Sequence, residues 1–134
     1  MSKLTTIEGI GATTAELLKK AGVGSVEALL KAGASAAGRR TIAEKTGVDA
    51  ARVLKYVNHA DLMRIKGVGG EYAELLEAAG VDTVPELAQR SADNLAKKMA
   101  DVNASKKLVR VVPGAKKVNG WVEQAKRLNR VVGH

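Results

Sequence analysis

The chain has no cysteine and no phenylalanine among its 134 residues. The first absence excludes disulfides and thiolate metal sites, and it suits a reducing compartment, so a cytoplasmic protein is expected. Aromatic side chains are limited to Tyr56, Tyr72 and Trp121. The core must then be built from Leu, Val, Ile and Ala, small side chains that favour short helices packed closely together. No apolar run approaches the roughly 20 residues that cross a bilayer, and no secretory pattern opens the chain, so no membrane partner is expected. At 46% the hydrophobic fraction is ordinary. A chain of this length buries about 65–70% of the surface it exposes when unfolded, enough to fold without staples. It allows one mid-sized domain or two small halves sharing a core.

Charge is abundant but unevenly placed. The formal net charge is +8. Up to residue 96 basic and acidic side chains balance, whereas residues 97–134 hold ten Lys/Arg against only Asp101 and Glu123. Such an asymmetry points to a polyanionic partner, or else to a solvated basic face that aids solubility.

An internal repeat dominates the chain. "IEGIGATTAELLKKAGV", Ile7–Val23, returns as "IKGVGGEYAELLEAAGV", Ile65–Val81. Setting Leu4–Gly33 against Leu62–Ser91 gives 13 identities in 30 positions. Further on, "YVNHA" (Tyr56–Ala60) matches "WVEQA" (Trp121–Ala125) at a slightly larger offset. Two copies imply a pseudo-twofold pair of units, 1–61 and 62–134, packed as one compact domain.

Each unit reads as short helices. Leu17, Leu18 and Ala21 continue an apolar face begun at Ala15, and Leu75, Leu76 and Ala79 repeat it from Ala73. Gly22 and Gly80 stop those helices. Ser25 caps the next one, as does Thr83 in the second unit, with Pro85 in the first turn and Glu86 at the capping-box position. Gly47 closes another helix. Lys106, Lys107 and Arg110 are expected on one short helix. A last helix over about 114–131 carries Val118, Trp121, Val122, Ala125 and Leu128 on one face and Lys116, Lys117, Lys126, Arg127 and Arg130 around the other. No segment alternates with period two over strand length. The fold class is all-α.

The glycine-bracketed turn has a physical logic. In "EGIG" and "KGVG" the first glycine, Gly9 or Gly67, can take a positive φ. The middle residue, Ile10 or Val68, plugs inward. The second glycine, Gly11 or Gly69, keeps the surface bare just before a helix begins, where unbonded N–H groups and the helix dipole suit a phosphate oxygen. Gly70 and Thr13 extend these rims, and Arg64 and Lys66 lead into the second. The same geometry also serves simply to turn the chain between two close helices.

These residues resemble the helix-hairpin-helix motifs of sequence-independent DNA-binding proteins. The pattern is matched at Leu4, Ile7, Gly9, Ile10, Gly11 and Ala15, and again at Leu62, Ile65, Gly67, Val68, Gly69 and Ala73. The resemblance implies that hairpin amides grip a nucleic-acid backbone and that paired hairpins straddle the minor groove. It also makes a monovalent cation on the hairpin carbonyls conceivable, which the residues themselves do not demand. Nearly the whole chain, through "RIKGVGGEYAELLEAAGVDTVPELAQR" and "YVNHADL", is similar to a bacterial family catalogued as domain of unknown function 4332, which implies the hairpin fold and no activity. The chain departs from the DNA-binding pattern where a Lys or Arg usually opens the second helix: Thr13 and Thr14 stand there in the first copy and Glu71 in the second, with Glu8 in the first turn itself.

Catalytic chemistry is not evident. His59 and Asp61 are two apart on a helix and diverge, so His59 is expected as a capping or buried hydrogen-bonded residue. There is no Ser/His/Asp set, metal-spaced carboxylate cluster or P-loop, and neither an enzyme, a cofactor nor a small-molecule substrate is expected. Two partners remain: nucleic acid, double-stranded DNA above all, held by the hairpins and the basic C-terminal residues; or an acidic protein surface, with the hairpins purely structural.

Overall fold

Helix stops and starts written in the sequence account for most of the architecture. In the computed structural model, residues 2–133 are described. Among these the chain is all-helical: eight α-helices, a single 3-10 turn at Leu4–Thr6, and no strand. It divides into two units, the chain up to Asp61 together with the stretch from Val131 onward, and Leu62–Arg130. The segment from Val131, expected with the second half, thus groups with the first.

In the first unit α1 (Ala12–Lys20), α2 (Val26–Ala32), α3 (Ala36–Thr46) and α4 (Ala50–Leu62) follow the 3-10 turn. Glycine ends α1 in a complete Schellman arrangement: Gly22 has φ +86°, its N–H bonds the Lys19 carbonyl, and the Val23 N–H bonds the Leu18 carbonyl at 2.9 Å. Ser25 then caps α2, its hydroxyl accepting from the Ala28 N–H, and Gly47 (φ +76°) closes α3. α1 and α2 both pack on α3. Arg39 of α3 is buried, yet its charge is well used. Its guanidinium donates to the carbonyls of Gly33 and Ala34 at the end of α2, and to that of Gly133 at 2.7 Å. A returning N–H from Gly133 to the Ala34 carbonyl completes the anchorage of the last segment.

The second unit holds α5 (Gly70–Ala78), α6 (Val84–Ala88), α7 (Ala92–Lys106) and α8 (Ala115–Lys126). α8 packs on α6 and α7, and α5 on α7. One apolar cluster joins them, including Leu75, Leu76, Leu87, Leu95, Met99, Val118, Trp121 and Val122. Gly80 and Val81 repeat the Schellman arrangement at the end of α5.

Three expectations about this unit need correction. Thr83 occupies the N-cap position of α6, but its hydroxyl donates to the Glu86 carboxylate and accepts from no helix N–H, so the capping box does not form. α7 is a 15-residue helix that ends at Lys106; Lys107 is its left-handed C-cap and Arg110 lies beyond, so the three cations do not share a short helix. The last helix stops at Lys126 because Arg127 and Leu128 bond three residues back instead of four, tightening and ending it. Leu128 and Arg130 are therefore off the helix, and Leu128 is exposed instead of lying on the buried face.

Candidate functional site

Both glycine-bracketed turns have the same local build. Gly9 and Gly67 each adopt φ +94°. Ile10 and Val68 are buried, as an inward plug requires. Gly11 and Gly69 are exposed N-caps with extended backbone, φ −91° and −96°. An aromatic residue from the last helix of each unit supports the first glycine. Tyr56 donates its hydroxyl to the Gly9 carbonyl at 3.1 Å. Trp121 lies under Gly67, its Nε1 3.1 Å from where a Cβ would stand. The matched "YVNHA" and "WVEQA" segments carried that signal, although Trp121 was legible only as core.

The helix starts after both turns lack side-chain caps. No side chain caps α1 or α5, and among the described residues none accepts from the N–H groups of Ala12, Thr13 and Thr14, or of Gly70, Glu71 and Tyr72. The exposed Glu71 carboxylate does not fold back to occupy them. Gly70 itself is buried, so the outward rim of the second turn consists of Lys66, Gly67, Gly69 and Glu71, all exposed.

What differs is the flank. In the second unit α8 runs beside the turn and is fastened to it at three places. Gln124 clasps the Lys66 peptide from both sides: its Oε1 accepts the Lys66 N–H at 2.9 Å, and its Nε2 donates to the Lys66 carbonyl at 3.3 Å. Arg64 donates to the Asn129 carbonyl just past the helix. At the other end Lys117 sits 5.2 Å from the centre of the Tyr72 ring, a cation–π distance, and that ring tilts against Trp121. The exposed Lys116, Lys117, Lys126 and Arg127 of this stretch, with Arg130 beyond it, are thereby tied to the glycine turn. Lys126 and Glu123 form a weak exposed pair, 3.4 Å apart, of a kind worth little, and the exposed Glu71 adds a further carboxylate at the rim. Sequence reasoning missed Gln124 and Tyr72, whose roles arise only once α8 is laid beside the turn.

Lys106, Lys107 and Arg110 fall in a second place. Asn103 grips the Val109 peptide, donating to its carbonyl at 3.0 Å and accepting its N–H at 2.9 Å. The Tyr72 hydroxyl donates to the Val111 carbonyl at 2.9 Å. Tyr72 thus links the basic loop after α7 to the first turn of α5.

The first turn is flanked differently. Glu8 is exposed where the second turn has Lys66, and Thr13 is exposed on α1. Beside it a shallow depression of about 310 Å³ is lined by Lys3, Leu4, Thr5, Ala15, Lys19 and Gly24. His59 and Asp61 are fully buried in α4. Among the described residues no three His, Asp or Glu side chains gather to hold a metal, and no helix is long and apolar enough to cross a membrane.

The family described as domain of unknown function 4332 matches residues 8–128, nearly the whole chain. The chain belongs to that family. No curated protein and no solved structure matches it. Membership in domain of unknown function 4332 assigns no chemistry to the glycine turns or to α8.

Proposed function

We propose that this protein binds double-stranded DNA without reading its sequence, through a helix-hairpin-helix contact made by the second unit. The observation that carries the reading is the Gln124–Lys66 clasp, which fastens a basic helix to a bare, uncapped helix start. Phosphate accepts hydrogen bonds from such N–H groups and is favoured by the helix dipole. Arg64, Lys66, Lys116, Lys117, Lys126, Arg127 and Arg130 add the long-range attraction that needs no base contact. No catalytic step is part of the proposal.

Four to six neutralised phosphates would give a slope of roughly −4 to −5 for log K against log salt. Fluorescence anisotropy of a labelled 20-base-pair duplex, titrated across salt, measures it. No binding at 50 mM salt would remove the proposal. The combined substitution Lys116→Glu and Arg127→Glu is expected to abolish binding while leaving the helical circular dichroism unchanged.

The exposed Glu8 favours a second reading for the first hairpin: it turns the chain, or meets a protein surface, and does not hold phosphate. Under that reading Glu8→Gln leaves the DNA salt slope unchanged. A steeper slope in that variant would place the first hairpin on the DNA as well.

A further inference from the structure

The loop between α7 and α8 carries the least explained side chain in the protein. Val111 is 70% exposed, the most exposed of the large hydrophobic side chains among the described residues. A lone exposed valine is ordinary on a surface, but this one does not sit on a slack loop. Val109 and Pro113, two residues to either side, are buried. Asn103 holds the Val109 peptide through both of its polar atoms, and Tyr72 holds the Val111 carbonyl. Lys107, at the start of the loop, is kept at φ +52°, a conformation that costs a side-chain-bearing residue energy. Four restraints thus present two adjacent exposed side chains, one cationic and one apolar: Arg110 and Val111.

A nucleic-acid backbone alternates in the same way, a charged phosphate followed by the largely apolar face of a sugar. We infer that the loop 107–112 is a second backbone contact, with Arg110 on a phosphate and Val111 against the neighbouring deoxyribose. Tyr72 is then a positioning residue that couples this loop to the hairpin, since its own N–H belongs to the uncapped first turn of α5 while its hydroxyl fixes the loop. The inference rests on the DNA-binding reading and specifies its ligand: a sugar–phosphate backbone, in contrast to an arbitrary polyanion.

The test uses the full chain, the labelled duplex, and inorganic polyphosphate as a second probe. Arg110→Gln is expected to flatten the DNA salt slope by about 0.9, one phosphate's share. Val111→Ser should lower DNA affinity about fivefold at every salt concentration with the slope unchanged, because an apolar contact releases no counterions. On polyphosphate, which has no sugar, Arg110→Gln should still weaken binding and Val111→Ser should not. Both positions are exposed, and thermal melts check that each variant folds; Val111→Ala repeats the test should the serine variant melt early. Wild-type affinity and slope in both variants would overturn the inference and leave the hairpin reading standing. Equal loss on DNA and polyphosphate for the Val111 variants would overturn the sugar contact. Failure of the wild-type chain to bind DNA at all would instead remove the underlying reading.

Discussion

Alanine at Gly67 and alanine at Gly69 should have opposite consequences, although the two positions are only two residues apart. At Gly67 the backbone stands at φ +94°. A side chain in the left-handed region costs about 1–2 kcal/mol. The new Cβ would also lie 3.1 Å from Trp121 Nε1, so the indole, packed against the Tyr72 ring, must yield by a few tenths of an ångström. Alanine restricts the unfolded chain and recovers roughly 0.4–1 kcal/mol only where the native backbone suits it, which this one does not. Gly67→Ala should therefore lower the melting temperature by about 3–8 °C. At Gly69 the backbone is extended and a Cβ would meet nothing within 4 Å. The unfolded-state gain is offset by the poorer N-cap propensity of alanine, about 0.5 kcal/mol, and the net change in stability should be close to zero.

Binding should reverse the order of interest. The Gly69 methyl would stand at the entrance to the uncapped N–H groups of α5, so loss of one charge-assisted hydrogen bond would weaken DNA binding at least tenfold, or about 1.4 kcal/mol. Urea or thermal unfolding followed by circular dichroism gives the stabilities, and anisotropy at fixed salt gives the affinities. A Gly69→Ala protein that is as stable as wild type and binds DNA equally well would refute the idea that bare backbone matters there. A Gly67→Ala protein of wild-type stability would refute the account of the turn itself.

Other outcomes follow from the same structure. Arg39→Met should cost about 2–4 kcal/mol, because it leaves the carbonyls of Gly33, Ala34 and Gly133 without their charged donor; denaturant titration measures it, with a wild-type midpoint as the contrary result. Gln124→Ala removes both halves of the Lys66 clasp and should weaken DNA binding several-fold while leaving the salt slope within about one unit of wild type, since no charge is lost. Glu27 is held below its ordinary carboxylate value by its own N–H and by that of Ser2, which donates to Oε1 at 2.9 Å. A depressed pKa stabilises above the unfolded value of 4.5 and loses that contribution as pH falls through the folded value. Hydrogen exchange at the Ser2 amide should accordingly be protected near pH 6 and lose relative protection below pH 4.5; Glu27→Gln should show no such change.

Local chemistry made most of the fold legible. Glycines at 9, 22, 47, 67 and 80 were readable because a positive φ leaves few other choices, and all five adopt one. Ser25 was readable because a hydroxyl before an apolar run has one good use. Errors arose where two local signals compete. Thr83 and Glu86 have capping-box spacing, but the hydroxyl finds the carboxylate first. Leu128 continues the period of Trp121 and Ala125, yet the helix has already tightened and ended two residues before it. Nothing in the neighbours of Arg39 announces that three carbonyls will converge on it.

The candidate site was half legible for a deeper reason. Its two glycine turns share one backbone recipe, and a recipe repeated in sequence is easy to read. The flanks are set by side chains that meet only in three dimensions: Gln124 on Lys66, Tyr72 on Val111 and Lys117, Arg64 on Asn129. Those are also the features that separate the copies. Position for position, the first turn has Glu8 where the second has Lys66, and Thr14 where the second has Tyr72. A turn with the same φ angles but Glu8 in the place of Lys66 cannot offer phosphate the same potential. Exchanging only these residues, Glu8→Lys with Thr14→Tyr in the first copy and Lys66→Glu with Tyr72→Thr in the second, therefore asks whether backbone or flank governs the site. Retained DNA binding in the double exchange at the second turn would mean that the glycines suffice; its loss, with helicity intact, would mean that the flank turns a common helix connection into an anion site.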